Sequence, residues 1–244
     1  MTGSLAIAGL GPGDIALITP EVTAALARAT DVLGYTPYVA RIAPRSGLTL
    51  HPSDNREELV RARVGLEIAA NGGHAVIVSS GDPGVFAMAA AVFEVLEANP
   101  NWHELDVRVL PGITAMLAAA ARIGAPLGHD FCAINLSDNL KPWNLIEKRL
   151  TLAAEADFAI ALYNPRSLSR PHGFQRAIDI LKAAGAGDRF VVFARAISTP
   201  QERIETLPLC EARAEQADMR TLVIICNAET RRVGRWLYAR RQVS

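Results

Sequence analysis

"GLGPGDIALITP", residues Gly9 to Pro20, follows the short apolar run Leu5-Ala6-Ile7-Ala8 and precedes a helical pattern from Glu21 to Ala29. A strand, a glycine-rich turn and a helix in that order mark the start of an α/β unit. Such a turn often cradles a phosphate, and the spacing here argues otherwise. A dinucleotide fingerprint needs glycine at the first, third and sixth positions. Gly9 and Gly11 fit, but the sixth position is Asp14. A P-loop would end in Gly-Lys-Ser/Thr, and no lysine is present. Pro12 removes a backbone N–H that a phosphate would use. A helix N-terminus attracts an anion by about 0.3–1 kcal/mol. A carboxylate about 4 Å from a phosphate repels it by about 4 kcal/mol at an effective dielectric near 20. The turn therefore suits a neutral or cationic ligand. Taken alone, it is equally compatible with a plain strand–helix connection that holds nothing.

The same order of elements recurs along the chain. Strand candidates are Leu5–Ala8, Asp31–Leu33, Ala75–Ser79, Val107–Leu110, Cys132–Leu136, Phe158–Tyr163, Phe190–Ala194 and Leu222–Cys226. Several are apolar at every position, as strands covered on both faces should be. Thr19 and Pro20 read as N-cap and first helical residue. Asp54 and Glu57 read as an acidic capping box opening a helix from Arg56 to Ala70, with Leu59, Ala62, Leu66 and Ala69 on its apolar face. Asn71-Gly72-Gly73 closes it. The Gly- and Pro-rich "GAPLGHD", Gly124 to Asp130, reads as a boundary. The expectation is two α/β domains, 1–125 and 126–244, with a ligand cleft between them.

Composition narrows the function. The 244 residues are 50% hydrophobic and carry 25 basic against 25 acidic side chains. A balanced charge supports neither a nucleic-acid footprint nor a basic membrane patch. The apolar runs are far shorter than the ~18 residues of a membrane span. Met1-Thr2-Gly3-Ser4 runs straight into a strand, leaving no room for a signal peptide. Cys132, Cys210 and Cys226 lack C-x-x-C spacing, and Cys132 and Cys226 sit in apolar runs, so reduced thiols in a cytoplasmic protein are expected. The five histidines have no metal-ligand spacing, and no metal is expected. The basic end, Arg231, Arg232, Arg235, Arg240 and Arg241, reads as a solvated helix face and tail.

Two more glycine turns follow strands. "VIVSSGDPGVFAMA", Val76 to Ala89, again sets a glycine beside a carboxylate and a proline, and "VLPGITAMLAA", Val109 to Ala119, precedes a helix start at Thr114. None of the three turns contains Lys or Arg, and two contain Asp. In open α/β sheets ligands gather outside the carboxyl ends of strands, where all three lie.

Together "GLGPGD", "SSGDPGVF", "PGITA", "NLSD" (Asn135–Asp138), "ALYNP" (Ala161–Pro165) and "TLVIICNAET" (Thr221–Thr230) resemble the signatures of the tetrapyrrole methyltransferase family. The resemblance covers nearly the whole chain. It implies a class III methyltransferase fold and S-adenosylmethionine as cofactor, a sulfonium joined to adenosine without phosphate. "GYTPYVARI" (Gly34–Ile42), "APLGHDFCAINLSD" and "ALYNPRS" resemble the branch that methylates C17 of precorrin-3B and contracts the macrocycle to precorrin-4 in cobalamin biosynthesis. The same chemistry on cobalt-factor III is the near alternative. A nucleotide-dependent oxidoreductase and a tetrapyrrole carrier are alternatives of other classes.

By resemblance, Pro12 walls the cofactor. Gly81, Asp82 and Val85 touch its amino acid part or ribose, and Thr114 and Ala115 supply backbone donors and a small surface. Tyr163 and Asn164 close over it, with Thr221 and Ile224 nearby. Ring contraction needs general acid–base help, for which His129, Asp130 and Asp14 are the candidates. Arg166 and Arg170 are candidates for pairing with substrate carboxylates. The resemblance also implies a homodimer.

Overall fold

The computed structural model describes residues 3–242. The chain forms two compact units, one running to Thr114 and the other starting at Ala115.

The first unit is a parallel sheet. Its strands are β1 (Ser4–Gly9), β2 (Asp31–Tyr35), β3 (Thr49–Ser53), β4 (His74–Ser79) and β5 (Asp106–Leu110), in the order β3-β2-β4-β1-β5. Its helices are α1 (Pro20–Arg28), α2 (Thr36–Val39), α3 (Glu58–Ala70) and α4 (Met88–Glu97). Side chains alternate across the central strands β1, β2 and β4, and both of their faces are buried. Leu5, Ile7, Leu33 and Ile77 pack with Leu66 of α3 and Val92 of α4. Ala8, Val32, Val76 and Val78 pack with Val22 of α1. This double covering is why these strands read as unbroken apolar runs. Thr19 caps α1, its hydroxyl accepting from Val22 N at 3.3 Å, with Pro20 behind it.

Helix α3 departs from its expected face. Ala62, Leu66 and Ala69 are buried, but Leu59 is exposed and Arg61 points inward instead. The helix starts at Glu58, two residues later than the pattern suggests, because Arg56 takes a positive φ of 71°. Half of the capping box forms: Glu57 accepts from Asp54 N at 3.2 Å, while the Asp54 carboxylate turns to Asn55 N. Strand β3 was absent from the sequence reading, since His51 and Pro52 interrupt its apolar character. It is an edge strand, where proline is tolerated.

The second unit contains α5 (Ala115–Ile123), β6 (Gly124–Ala125), β7 (Phe131–Asn135), α6 (Trp143–Glu155), β8 (Ala159–Tyr163), α7 (Gly173–Ala183), β9 (Phe190–Arg195), β10 (Arg203–Pro208), β11 (Thr221–Ile225), β12 (Thr230–Val233) and β13 (Trp236–Ala239). Its main sheet runs β10-β9-β11-β8-β7; only β7 and β8 pair in parallel. Val223 and Ile225 of β11 face a core with Phe174 and Phe193, whose rings meet edge to face at 5.9 Å. The unit begins before the expected boundary at Ala125, because α5 packs on β11 and β6 pairs with β13. The basic end is no helix. Arg231 and Arg232 lie on β12 and Arg235 in its turn to β13, an antiparallel hairpin. Cys132, Cys210 and Cys226 are all free, and burial pushes the Cys226 thiol up to about 12. Among the described residues no helix is long and apolar enough to cross a membrane.

Candidate functional site

The three glycine turns leave the carboxyl ends of β1, β4 and β5, which are adjacent in the first sheet. They are stitched together by backbone. Gly11 N donates to Gly81 O at 3.2 Å and Gly81 N to Gly11 O at 2.9 Å. Both residues sit near φ +64°, a region open to glycine at little cost. Gly112 completes the contact. A Cβ there would lie 2.1 Å from Gly81 O and 2.8 Å from Gly9 Cα. The fold thus requires bare backbone where the three turns meet.

Asp82 locks the second turn to the third. Its Oδ1 accepts from Gly84 N at 2.8 Å and its Oδ2 from Gly112 N at 3.0 Å. A carboxylate has about four acceptor sites, so each oxygen keeps capacity for a ligand donor. Pro12 and Val85 are half-buried beside these glycines in sequence, and Val85 N donates to Asp82 O at 3.2 Å. Phe86, at φ 54°, is a strained and exposed member of the same loop. Thr114 is buried at the end of the first unit.

Asp14 closes the first turn. It is exposed and caps the short helical turn Ile15–Leu17, its Oδ1 accepting from Ala16 N at 2.9 Å. That duty explains the acid at this position without any ligand.

The electrostatic reading of the turns needs a correction. No turn contains a basic residue, yet Arg41 reaches the first one from beyond α2. Its guanidinium donates to Leu10 O at 2.8 Å and Gly13 O at 3.1 Å. Arg41, with Tyr38 of α2, belongs to "GYTPYVARI", whose place at the end of β2 was the available signal. Burial holds the Tyr38 phenol above its ordinary value, as does Tyr35, against the opposing pull of Ser80, Arg41 and Arg61.

In the second unit, Tyr163 ends β8 and its hydroxyl accepts from Met116 N, in the first turn of α5, at 3.2 Å. Asn164 takes φ 52°, and its amide donates to Asn135 Oδ1 at 3.1 Å. Asn135 also accepts from Ser137 N at 2.9 Å, so "NLSD" and "YNP" form one hydrogen-bonded corner. Ala115 opens α5. The Thr221 hydroxyl donates to Asp218 Oδ1 at 2.8 Å and accepts from Asp218 N at 3.1 Å, which fixes the turn before β11. Ile224 is fully buried in β11.

Arg170 is drawn into the loop itself. Its Nη1 lies 3.4 Å from Leu136 O and 3.3 Å from Asn164 O, strapping the same corner. Arg166 donates from Nε to Pro171 O at 3.3 Å. His129 and Asp130 precede β7, with His129 Nδ1 3.6 Å from Asp130 Oδ2. This is close enough for charge attraction and too long for a hydrogen bond.

Comparison with known proteins places this arrangement. The family profile for tetrapyrrole (corrin/porphyrin) methylases matches residues 4–213. The chain belongs to the tetrapyrrole methylase family. The methylase is 53% identical, over 96% of its length and 93% of the relative's, to a precorrin-3B C(17)-methyltransferase of Sinorhizobium sp. It is 38% identical to a probable cobalt-factor III C(17)-methyltransferase of Salmonella typhimurium, covering 93% of each chain. Its fold superposes on the crystal structure of the methyltransferase CobJ with a TM-score of 0.96 and 63% identity, covering 98% of the methylase and 100% of that chain. All three glycine turns lie within the matched residues of the methylase, whereas Thr221 and Ile224 lie beyond them.

Proposed function

We propose that the methylase transfers a methyl group from S-adenosylmethionine to C17 of precorrin-3B and contracts the ring to precorrin-4 in cobalamin biosynthesis. The observation that carries this reading is the 53% identity, across nearly both full lengths, to a relative named for that reaction. The lower identity to the cobalt-factor III relative ranks the cobalt-containing substrate second. The glycine junction fits the cofactor. Gly9, Gly81 and Gly112 bring bare backbone to the strand ends, and Asp82 leaves acceptor capacity there for an amine or ribose hydroxyl.

S-adenosylmethionine supplies an electrophilic methyl group when bound. Pro12, Gly81, Asp82, Val85 and Thr114 are the proposed contacts from the first unit, and Ala115, Tyr163, Asn164, Thr221 and Ile224 those from the second. Their work is alignment and exclusion of water, and orientation alone can supply about 7–11 kcal/mol of barrier reduction. Ring contraction adds proton movement, for which His129 Nε2 is the proposed atom, with Asp130 biasing the ring through Nδ1. Asp14 keeps its capping role and drops out of the proposed proton path. The proposed setting is a cytoplasmic homodimer.

Incubation with precorrin-3B and labelled S-adenosylmethionine tests the whole reading. A singly methylated, ring-contracted product supports it, and label transferred only to the cobalt-containing ring moves the assignment to the second substrate. His129→Ala is expected to slow contraction about a hundredfold, the lower end of the general acid–base range, with methyl transfer and S-adenosylhomocysteine affinity unchanged. An unaltered yield of contracted product removes His129. Arg166→Ala should raise the KM for the tetrapyrrole alone. Arg170→Ala, by contrast, should loosen the corner holding Asn164 and weaken both ligands.

A further inference from the structure

Arg61 is the most unusual charge in the first unit. It lies on α3 with 5% of its surface exposed. Its Nε donates to Ser53 Oγ at 2.8 Å and its Nη2 to Asp54 O at 2.8 Å. Among the described residues, the partner of Nη1 is only the thioether of Met88, at 3.2 Å. A thioether is a weak acceptor, and a guanidinium carries five N–H groups and stays charged under all ordinary conditions. Among the described residues no carboxylate lies within ion-pair distance of it; Glu58 and Glu57 act on it only from farther off. Buried charges are normally paired, because an unpaired one costs several kcal/mol.

The position of this charge is as informative as its lack of a carboxylate in direct contact. Ser53 is the last residue of β3, and its hydroxyl also reaches Gly34 O of β2 at 3.4 Å. Met88 is the first residue of α4, directly after the loop that carries Gly81 and Asp82. Tyr38 lies in α2, just after β2, and Ser80, just after β4, is close enough to pull on its phenol. A guanidinium and the hydroxyls of Tyr38, Ser53 and Ser80 therefore gather at the carboxyl ends of β2, β3 and β4. This is the edge at which open α/β sheets bind ligands. It adjoins the glycine junction on β4 and β1. Guanidinium and phenol are donors suited to a carboxylate, the former in a two-pronged fashion.

We infer that Arg61, with Tyr38 and Ser80, forms a carboxylate subsite that receives one acidic side chain of the tetrapyrrole. The inference rests on the proposed substrate class and deepens it. When the ring is bound, the subsite gives Arg61 a carboxylate in direct contact, beyond the more distant Glu57 and Glu58. It fixes one rim of the macrocycle beside the cofactor turns. Arg61 is thereby a substrate-binding residue, distinct from the loop arginines Arg166 and Arg170.

Arg61→Met tests this, because methionine keeps the volume of the side chain and suits the apolar contact with Met88. The assay is binding of a porphyrin octacarboxylate by fluorescence quenching, alongside S-adenosylhomocysteine calorimetry and thermal unfolding. The expected result is at least a tenfold weaker ring affinity, in line with loss of one member of a buried charge pair, with cofactor affinity and melting temperature held. Arg61→Lys, which keeps charge without the fork, should fall between, and Tyr38→Phe should weaken the ring about threefold to tenfold, as loss of one hydrogen bond to a charged group does. Unchanged ring affinity in Arg61→Met overturns the inference. So does a joint fall of melting temperature and both affinities in Arg61→Met and Arg61→Lys, which would make Arg61 a strut between β3 and α4. Failure of the wild-type protein to methylate precorrin-3B would instead strike the proposed function, since the porphyrin assay needs no turnover.

Discussion

Gly112→Ala is expected to destabilise the first unit by about 3 kcal/mol, the upper end of the usual cost of overpacking, and to remove measurable S-adenosylhomocysteine binding. The reason is the kind of atom that the new methyl would strike. Its neighbours at 2.1 Å and 2.8 Å are Gly81 O and Gly9 Cα. Neither is the free end of a side chain, so relief requires moving a whole turn. The Gly11–Gly81 hydrogen bonds, at 3.2 and 2.9 Å, hold two of those turns together and would be pulled apart. Gly187→Ala is the matched control. A Cβ at Gly187 would meet nothing within 4 Å, and the residue needs no positive φ. It should be neutral within about 0.5 kcal/mol, or slightly stabilising through the unfolded chain. Denaturant midpoints and calorimetry on the two variants check this pair, and equal behaviour would mean that the junction is not close-packed.

Asp82→Ala is expected to cost about 2–4 kcal/mol and to weaken S-adenosylhomocysteine at least tenfold. Two backbone donors, Gly84 N and Gly112 N, lose a charged acceptor at once. Each such bond is worth about 1.5–3 kcal/mol, and the two are not fully additive because they share one side chain. Asp82→Asn should lose about half as much. Its amide offers one oxygen acceptor, while its NH2 would confront the second N–H donor. If Asp82 touched only the ligand, Asp82→Ala would weaken binding and leave the denaturant midpoint in place. The structure predicts that both move.

The sheet of the first unit was legible because its central strands are buried on both faces. Runs such as Leu5–Ala8 and Ala75–Ser79 have no polar face to confuse the pattern. The turns were legible because glycine and proline mark them directly. What escaped is instructive in each case. Strand β3 carries His51 and Pro52, and β12 carries two arginines, because edge strands and hairpins answer to pairing partners rather than to burial. Arg61 was hidden by a rule of thumb that sends charge outward. The pattern chose Leu59 for the inner face, and the structure placed Arg61 there instead. Arg41 escaped because its long side chain acts on a turn distant in sequence. The capping role of Asp14 was not legible because a capping acid and a reacting acid look alike in one dimension. The boundary fell at Ala115 rather than near Ala125 because α5 follows its packing partner β11, which lies far along the chain.

The central claim is that the junction of Gly9, Gly81 and Gly112 with Asp82 accepts a sulfonium nucleoside and turns away a pyrophosphate, even with Arg41 close by. Titration calorimetry on the wild-type protein with S-adenosylhomocysteine, S-adenosylmethionine and NADP measures it directly. The account predicts stoichiometric heats for the first two, lost in Gly112→Ala, and none for NADP. Tight NADP uptake with silence from both adenosyl compounds would contradict it.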